Sequence, residues 1–295
     1  MLGAPRVVPA VREKSTVAWR ELGSSRSALG AMSGPRREVM AGLAKGLEVL
    51  RAFGREPRGL TLSELAKRAQ LPAATARRCL HTLEELGYVT RAGRAFLLRP
   101  KVLELGAAYL EAMDVRTLTK TLLEDLARQT GDSAALSVLD GVDIVYIARA
   151  SVRTLLRLEA HVGSRFPAYP TSMGRVLLAG LSPEGLRRYF AAASFASLTE
   201  HTVTQRGKLT RRIEECRREG YAAVADELAY GVVAVAVPVF DQAGRVVAAL
   251  NSSSHSKKVS QADLVRERVE LLQGVSRQIS GELRRLPGLS LSAQS

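Results

Sequence analysis

The sequence predicts an α+β protein: an N-terminal winged helix-turn-helix, a linker helix, and a C-terminal domain built on an antiparallel sheet. Three observations predict it. Residues 41–98 read as three helical segments followed by two short apolar pairs around a Gly-containing turn. From about residue 133 the pattern becomes strands with hairpin signals, interspersed with helices. The formal net charge is +14, and it is uneven. Residues 1–113 hold 19 Lys+Arg against 10 Asp+Glu, and residues 114–295 hold 24 against 19. The shorter segment carries more of the excess, which points to a polyanionic partner there.

The first 38 residues are rich in Gly, Ser, Pro, Ala and Arg, lack periodicity, and are expected to form a disordered extension. They lack the apolar core of a signal peptide. Residues 39–99 form the winged helix-turn-helix. Here "AGLAKGLEVLRAF" sets Leu43, Leu47, Leu50 and Phe53 at helical spacing. "LTLSELAKRA" opens on a capping box of Thr61 and Glu64, with Leu60 and Leu65 as a hydrophobic staple. Gln70-Leu71-Pro72 connects to "AATARRCLHTLEEL", where Pro72 suits the first turn and Gly87 the stop. "YVTRAGRAFLL" is a hairpin wing.

Residues 100–114 are expected to be a linker helix and 115–286 an α+β domain, to which the resemblance described below assigns effector binding and oligomerisation, with 287–295 a tail. Within the domain, "SAALSVLDGVDIVYIARA" reads as strand, Asp140-Gly141 turn, strand. "TLLRLEAHVG" is a third strand, "GSRFPAYPTSMG" a loop, and "TSMGRVLLAG" a helix start. Two further helices and a strand pair joined by Asp241–Gly244 precede a long closing helix.

At 100° per residue, Ala76, Cys79, Leu80 and Leu83 share the packed side of the third helix. Ala74, Arg78, His81 and Glu85 face away, with Arg77 on the flank. Small residues at the helix start (Ala73, Ala74, Thr75) allow close approach to a DNA major groove. Arginine forks suit guanine O6/N7 or phosphate. Arg91 and Arg94 flank the wing tip, where phosphate or the minor groove would lie, and Thr61 joins the candidate DNA contacts. A solvated arginine pair is the ordinary alternative; the surrounding capped helix, short turn and wing favour DNA.

No P-loop, dinucleotide fingerprint, HExxH helix or nucleophile elbow occurs, so no enzyme, cofactor or metal is expected. Ser253 and His255, with Asp226 or Glu227, are the nearest approach to a catalytic group. Two separated cysteines form no disulfide framework, which fits a reducing cytoplasm. No stretch reaches the length of a membrane span. An architectural double-stranded-DNA binder without a ligand remains an alternative, but leaves the large second domain without a task.

The chain resembles the IclR family of bacterial transcription regulators over about residues 41–285. The resemblance lies in "LTLSELAKRAQLPAATARRCLHTLEELGYV", "GSRFPAYPTSMGRVLLA", "REGYAAVADELAYGVVAVAVPVFD" and "GRVVAALNSSSHS". "HVGSRFPAYPTSMGRVLLA" is similar to the PcaR/PcaU/PobR subgroup, which implies control of protocatechuate or 4-hydroxybenzoate catabolism. An IclR-type regulator of another carbon-source pathway is the alternative. The resemblance implies a GAF-like effector domain, a homodimer or homotetramer, and effector contacts at Ser172, Met173, Ala234, Asn251 and Ser253. Where this chain has Ala234 the family is more polar. The residues agree with a small carboxylate. Ser172 and Met173 open a helix, and Asn251 and Ser253 share a strand face. Arg149 or Arg165 would pair with the carboxylate, and Tyr146, Phe166 or Tyr169 would line an aromatic-sized site. Ser172 equally fits a helix cap, and the two arginines a solvated surface.

Overall fold

The structure, a computed structural model, describes residues 39–54, 56, 58–111, 116–151 and 160–285, with side chains at all of these except 108–111, 116–118 and 285. The expected N-terminal extension, the C-terminal tail and most of the expected third strand lie outside the described residues. Two compact units meet between Glu104 and Leu105, inside the linker helix.

The first unit runs α1 (Ala41–Ala52), β1 (Leu60–Thr61), α2 (Leu62–Arg68), α3 (Ala73–Glu85), β2 (Val89–Ala92) and β3 (Ala95–Leu98). Its core gathers Val49, Phe53, Leu60, Leu65, Leu80, Leu83 and Val89. Burial of each large side chain contributes about 1.5–3 kcal/mol. Leu60 and Leu65 meet there as the staple required. The capping box is complete: Glu64 N–H donates to Thr61 Oγ1, and Thr61 N–H donates to Glu64 Oε2 at 2.8 Å. Pro72 occupies the N-cap of α3 rather than its first turn. Gly87 adopts φ +78 after α3, its N–H donating to Glu84 O (3.0 Å), while Tyr88 N–H reaches Leu83 O (2.9 Å). This Schellman pairing needs a left-handed residue, which glycine supplies without strain.

The wing has one strand more than expected. β1 pairs with β3, giving the order β1-β3-β2, so the start of α2 is stitched to the wing. Leu43 and Leu47 lie on the open side of α1 instead of in the core.

Helix α4 (Val102–Glu111) crosses the unit boundary. The second unit continues with α5 (Arg116–Thr130), β4 (Ser133–Asp140), β5 (Asp143–Ala150), β6 (Arg165–Pro167), α6 (Ser172–Ala179), α7 (Pro183–Ala192), α8 (Arg206–Glu219), β7 (Ala222–Ala225), β8 (Val232–Phe240), β9 (Val246–His255) and α9 (Gln261–Arg285). Six antiparallel strands run in the order β6-β5-β4-β9-β8-β7. β6 falls in the expected loop, and β7 had no sequence signal of its own. The β4–β5 turn is Gly141-Val142, because Asp140 pairs with Asp143 as the last rung. Gly141 takes φ +63 at the first central position, as a II′ turn requires.

Alternate residues of each strand point to opposite faces. Leu136, Val138, Val235, Val237 and Leu250 pack with Leu123 of α5 and with Leu264, Leu272 and Ile279 of α9. Ala135, Tyr146, Ala236 and Ala249 face α6, α7 and α8. The sheet is thus covered on both faces, as its nearly continuous apolar strands require.

Candidate functional site

Helix α3 presents two different sides. Ala76, Leu80 and Leu83 are buried, whereas Ala73, Ala74, Arg77, Arg78 and His81 are exposed and Thr75 is half-buried. Both arginines stand in solvent, Arg78 on the side opposite the core and Arg77 on the flank. Arg91 and Arg94 are exposed on the wing. Arg91 Nε donates to Gly93 O at 3.1 Å, and its guanidinium lies 5.7 Å from the Phe96 ring centre, which pre-orients it at the hairpin tip.

Thr61 has a structural task. Its hydroxyl donates to Glu64 Oε2 at 2.7 Å, so its proton is engaged in the cap and is not free for a phosphate. The residue positions α2.

In the second unit, strand register brings the candidate effector residues onto the face that carries α6. Ala135 stands opposite Arg149 on one side and Asn251 on the other, and Asn251 stands opposite Ala236. Arg149, Ala135, Asn251 and Ala236 therefore form one cross-strand row. Ser133, Ser253 and Ala234 form the next row; Tyr146, Ser137 and Ala249 form the row on the other side. Arg149 and Tyr146 are three residues apart and would ordinarily face opposite ways. The register shift between Leu136 and Ser137 leaves Ile147 as an extra residue in β5 and turns both toward α6.

Asn251 is 3% exposed and Ser253 half-buried. Among the described residues, no hydrogen-bond donor lies within reach of Asn251 Oδ1. Arg149 is half-buried and donates to Ser133 Oγ at 3.3 Å. Burial lowers its pKa, opposed by the Tyr146 phenol; burial pushes Tyr146 up to about 12. Tyr146 meets Phe166 edge to face, ring centres 5.6 Å apart. Above this face lies the start of α6. Its cap is Thr171, whose hydroxyl accepts from Gly174 N–H at 3.0 Å, so Ser172 is not the cap. Ser172 and Met173 are both buried, and Ser137 Oγ lies 3.1 Å from Met173 Sδ. Sequence reasoning missed Ser133 and Ser137. The signal was present in "SAALS", where small and polar residues alternate with apolar ones at the strand period.

Arg165 does not belong to this group. It pairs with Val145, whose neighbours on the same side face α5 and α9. There Arg165 binds Asp140 Oδ2 at 2.5 Å and Asp143 Oδ2 at 3.3 Å. Burial opposes its charge, but the Asp140 hydrogen bond and both carboxylates outweigh this and raise its pKa. The arginine ties β6 to the β4–β5 hairpin and is removed from the effector candidates. Tyr169 is likewise engaged, its hydroxyl donating to Ala196 O at 2.6 Å.

A buried ion pair holds α6 from behind. Arg175 Nη2 lies 2.6 Å from Glu227 Oε2, with side-chain exposures of 3% and 9%. Arg175 Nε also donates to Tyr169 O (3.2 Å), and Glu227 Oε2 accepts from Val203 N–H (3.1 Å). Gly174 permits the approach: a Cβ there would lie 2.0 Å from Ala168 O.

Ser253 and His255 lie along β9, but His255 Nδ1 accepts the Lys257 N–H at 3.1 Å. It therefore has no orienting carboxylate on that nitrogen, and the Asp226 carboxylate is bonded to Gly231 N–H. Among the described residues, no three His, Cys, Asp or Glu side chains gather as a metal site requires, and no helix is long and apolar enough to cross a membrane.

Comparison with known proteins agrees with this division. Residues 42–93 match the IclR helix-turn-helix domain, and residues 107–281 match the bacterial transcriptional regulator IclR C-terminal domain. The chain is 39% identical over 247 residues to the Pca regulon regulatory protein of Pseudomonas putida, covering 83% of this chain and 85% of that one. It is similar to the crystal structure of an IclR transcriptional regulator from Alicyclobacillus acidocaldarius (TM-score 0.73, 29% identity, 83% of this chain and 100% of that one). It is similar too to an IclR homologue from Microbacterium hydrocarbonoxydans complexed with 4-hydroxybenzoate (TM-score 0.72, 25% identity, 83% and 100%). A winged unit with a free basic helix, joined to a two-faced sheet domain and matched along both parts, places this chain in the IclR family of DNA-binding transcriptional regulators.

Proposed function

We propose that this regulator controls genes for catabolism of an aromatic acid and responds to a small aromatic carboxylate. The observation that carries the reading is the α6-facing row of Arg149, Ala135 and Asn251: a cation and an unpartnered amide oxygen over a floor of small side chains, beside two aromatic rings. The Pseudomonas putida relative's role in the Pca regulon and the Microbacterium structure's 4-hydroxybenzoate favour the same ligand class. Arg149, Ser172, Met173, Ala234, Asn251 and Ser253 are the proposed effector contacts. Ala234 contributes space rather than a hydrogen bond.

Ala73, Ala74, Thr75, Arg77, Arg78 and His81 of α3 enter the major groove, and Arg91 and Arg94 of the wing meet the backbone. The protein acts as a homodimer or a pair of dimers on a palindromic operator. Met40, Leu43 and Leu47, exposed along one side of α1, fit contact with a second winged unit. Effector binding favours one dimer geometry over another, and α4 carries the difference between units.

The test is a mobility-shift titration on an operator selected from random or genomic DNA fragments with the purified protein, with and without hydroxybenzoates. The wild-type complex should change affinity when effector is added. Arg78→Ala should weaken binding by about 1–3 kcal/mol, roughly five- to 150-fold, with unchanged melting temperature. Full affinity in that variant removes Arg78 from the interface; indifference to every aromatic acid overturns the effector class.

A further inference from the structure

We propose that Gln70, in the turn between α2 and α3, is a DNA contact: its side-chain amide donates a hydrogen bond to a backbone phosphate at the edge of the operator groove. The inference rests on the docking of α3 proposed above and adds a residue outside that helix.

Gln70 holds a conformation that glutamine rarely adopts. Its φ is +54, in the left-handed region, where a Cβ crowds the following carbonyl. The residue is the stop of α2. Gln70 N–H donates to Lys67 O at 3.2 Å and Leu71 N–H to Ala66 O at 2.9 Å. The same pairing ends α3, where the left-handed residue is Gly87. Helices α1, α5 and α8 are likewise followed by left-handed glycines, Gly54, Gly131 and Gly220. Among the described residues the one other non-glycine at positive φ is Asp226. Its carboxylate accepts the Gly231 N–H, a local bond that offsets the strain. Gln70 has no side-chain bond to any described residue, and it is exposed rather than packed. Glycine would serve this stop better. Strain that the fold itself does not use indicates a functional demand on the side chain.

The place in the motif indicates which demand. In helix-turn-helix docking the first helix crosses the phosphate backbone and the second enters the groove, so the turn between them passes over the groove edge. Gln70 lies three residues before Ala73, where α3 begins. It is therefore set toward the backbone, while α3 itself reaches the base edges. Its amide nitrogen carries two hydrogens, and glutamine is among the side chains that bind phosphate oxygens. Lys67 and Arg68 in the last turn of α2 keep the surroundings cationic. A neutral donor there fixes where the helix sits on the duplex and leaves the number of released counterions unchanged.

Three variants of the full-length protein, titrated on operator and on random DNA, test this. Gln70→Gly and Gln70→Ala both remove the amide. Each should weaken binding to both DNAs by about fivefold or more, with the salt slope unchanged. Hydrogen exchange separates the two. Glycine relieves the left-handed strain, so Gln70→Gly should slow amide exchange in α2 and α3 about threefold or more; Gln70→Ala keeps the strain and should exchange as wild type. A variant that is more stable yet binds less tightly has not lost affinity through a damaged fold. Gln70→Glu keeps shape and strain but replaces the donor with an anion, so its loss should be larger and should shrink as salt rises. Wild-type affinity in both Gln70→Gly and Gln70→Ala overturns the contact. A loss on operator alone overturns the phosphate assignment, since it marks a base edge. Unchanged exchange in Gln70→Gly overturns the strain on which the inference stands. Arg78→Ala is measured alongside: if it too binds as wild type, the docking of α3 falls, whereas if it alone weakens binding, only the role of Gln70 does.

Discussion

Single side chains in this protein do different work depending on what they are already bonded to. Thr61 and Glu64 show this at the entry to α2. The Thr61 backbone N–H first, and its hydroxyl second, hold the Glu64 carboxyl below its ordinary pKa. A depressed acid contributes stability above its unfolded pKa and loses it as pH falls through the folded value. Glu64→Gln should therefore lower the melting temperature at neutral pH, and the difference from wild type should shrink below about pH 4. Thermal melts across that range check it, and a difference that stays constant into acid would mean that the carboxylate charge contributes nothing to the cap. Arg165 illustrates the same rule. From sequence it is a free cation beside a loop; in the fold, Asp140 and Asp143, more than twenty positions away, already bind it. Arg149 differs because its bonded neighbour is a neutral serine.

Among the elements, α6 is the most tightly determined. Thr171 caps it, Gly174 lets it approach the Ala168 backbone, and Arg175 anchors it to Glu227. The two charges are withdrawn from water, so removing one partner strands the other. Arg175→Met should cost about 3–5 kcal/mol, measured by urea denaturation. The double variant Arg175→Met, Glu227→Leu should be more stable than the single one, because no lone charge remains. A single variant as stable as wild type would show that the pair does not anchor the helix. The start of α6 was legible in "TSMG", but its ion-pair anchor was not, since the partners lie 52 positions apart. Other elements were legible for definite reasons. α2 and α3 carry their own boundaries in Thr61, Glu64 and Gly87. The β8–β9 pair follows from long apolar runs around Asp241–Gly244. β1 was missed because two residues have no period. β6 was missed because Arg-Phe-Pro is three residues with a proline, tolerable only at the sheet edge where it lies. β7 was missed because Ala-Ala-Val-Ala has weak strand propensity and is fixed by its pairing with β8. The rows proposed to hold the effector were half legible. Period-two spacing put Asn251 and Ser253 on one face, but only the extra residue in β5 brings Arg149 and Tyr146 to it.

The whole chain divides its tasks by charge. Residues 39–113 hold 12 Lys+Arg against 7 Asp+Glu, a net excess of five positive charges, and four of the exposed arginines lie on α3 and the wing. If those arginines neutralise phosphates, binding releases counterions, and log affinity falls with log salt by about 0.9 per phosphate contacted. The wing and the helix can be separated by this measure. Arg91 and Arg94 project from a hairpin tip, where the proposed docking puts the DNA backbone, whereas Arg77 and Arg78 sit mid-helix, where it puts base edges. In the proposed dimer the double variant Arg91→Ala, Arg94→Ala removes about four phosphate contacts, so its salt slope should be shallower by about 3 to 4. Its preference for operator over random DNA should be largely kept. Arg78→Ala should do the opposite, losing operator preference with a smaller change of slope. Fluorescence anisotropy over a range of potassium chloride concentrations measures both quantities. An unchanged slope in the wing variant would place the hairpin off the DNA, leaving α3 to hold the operator alone.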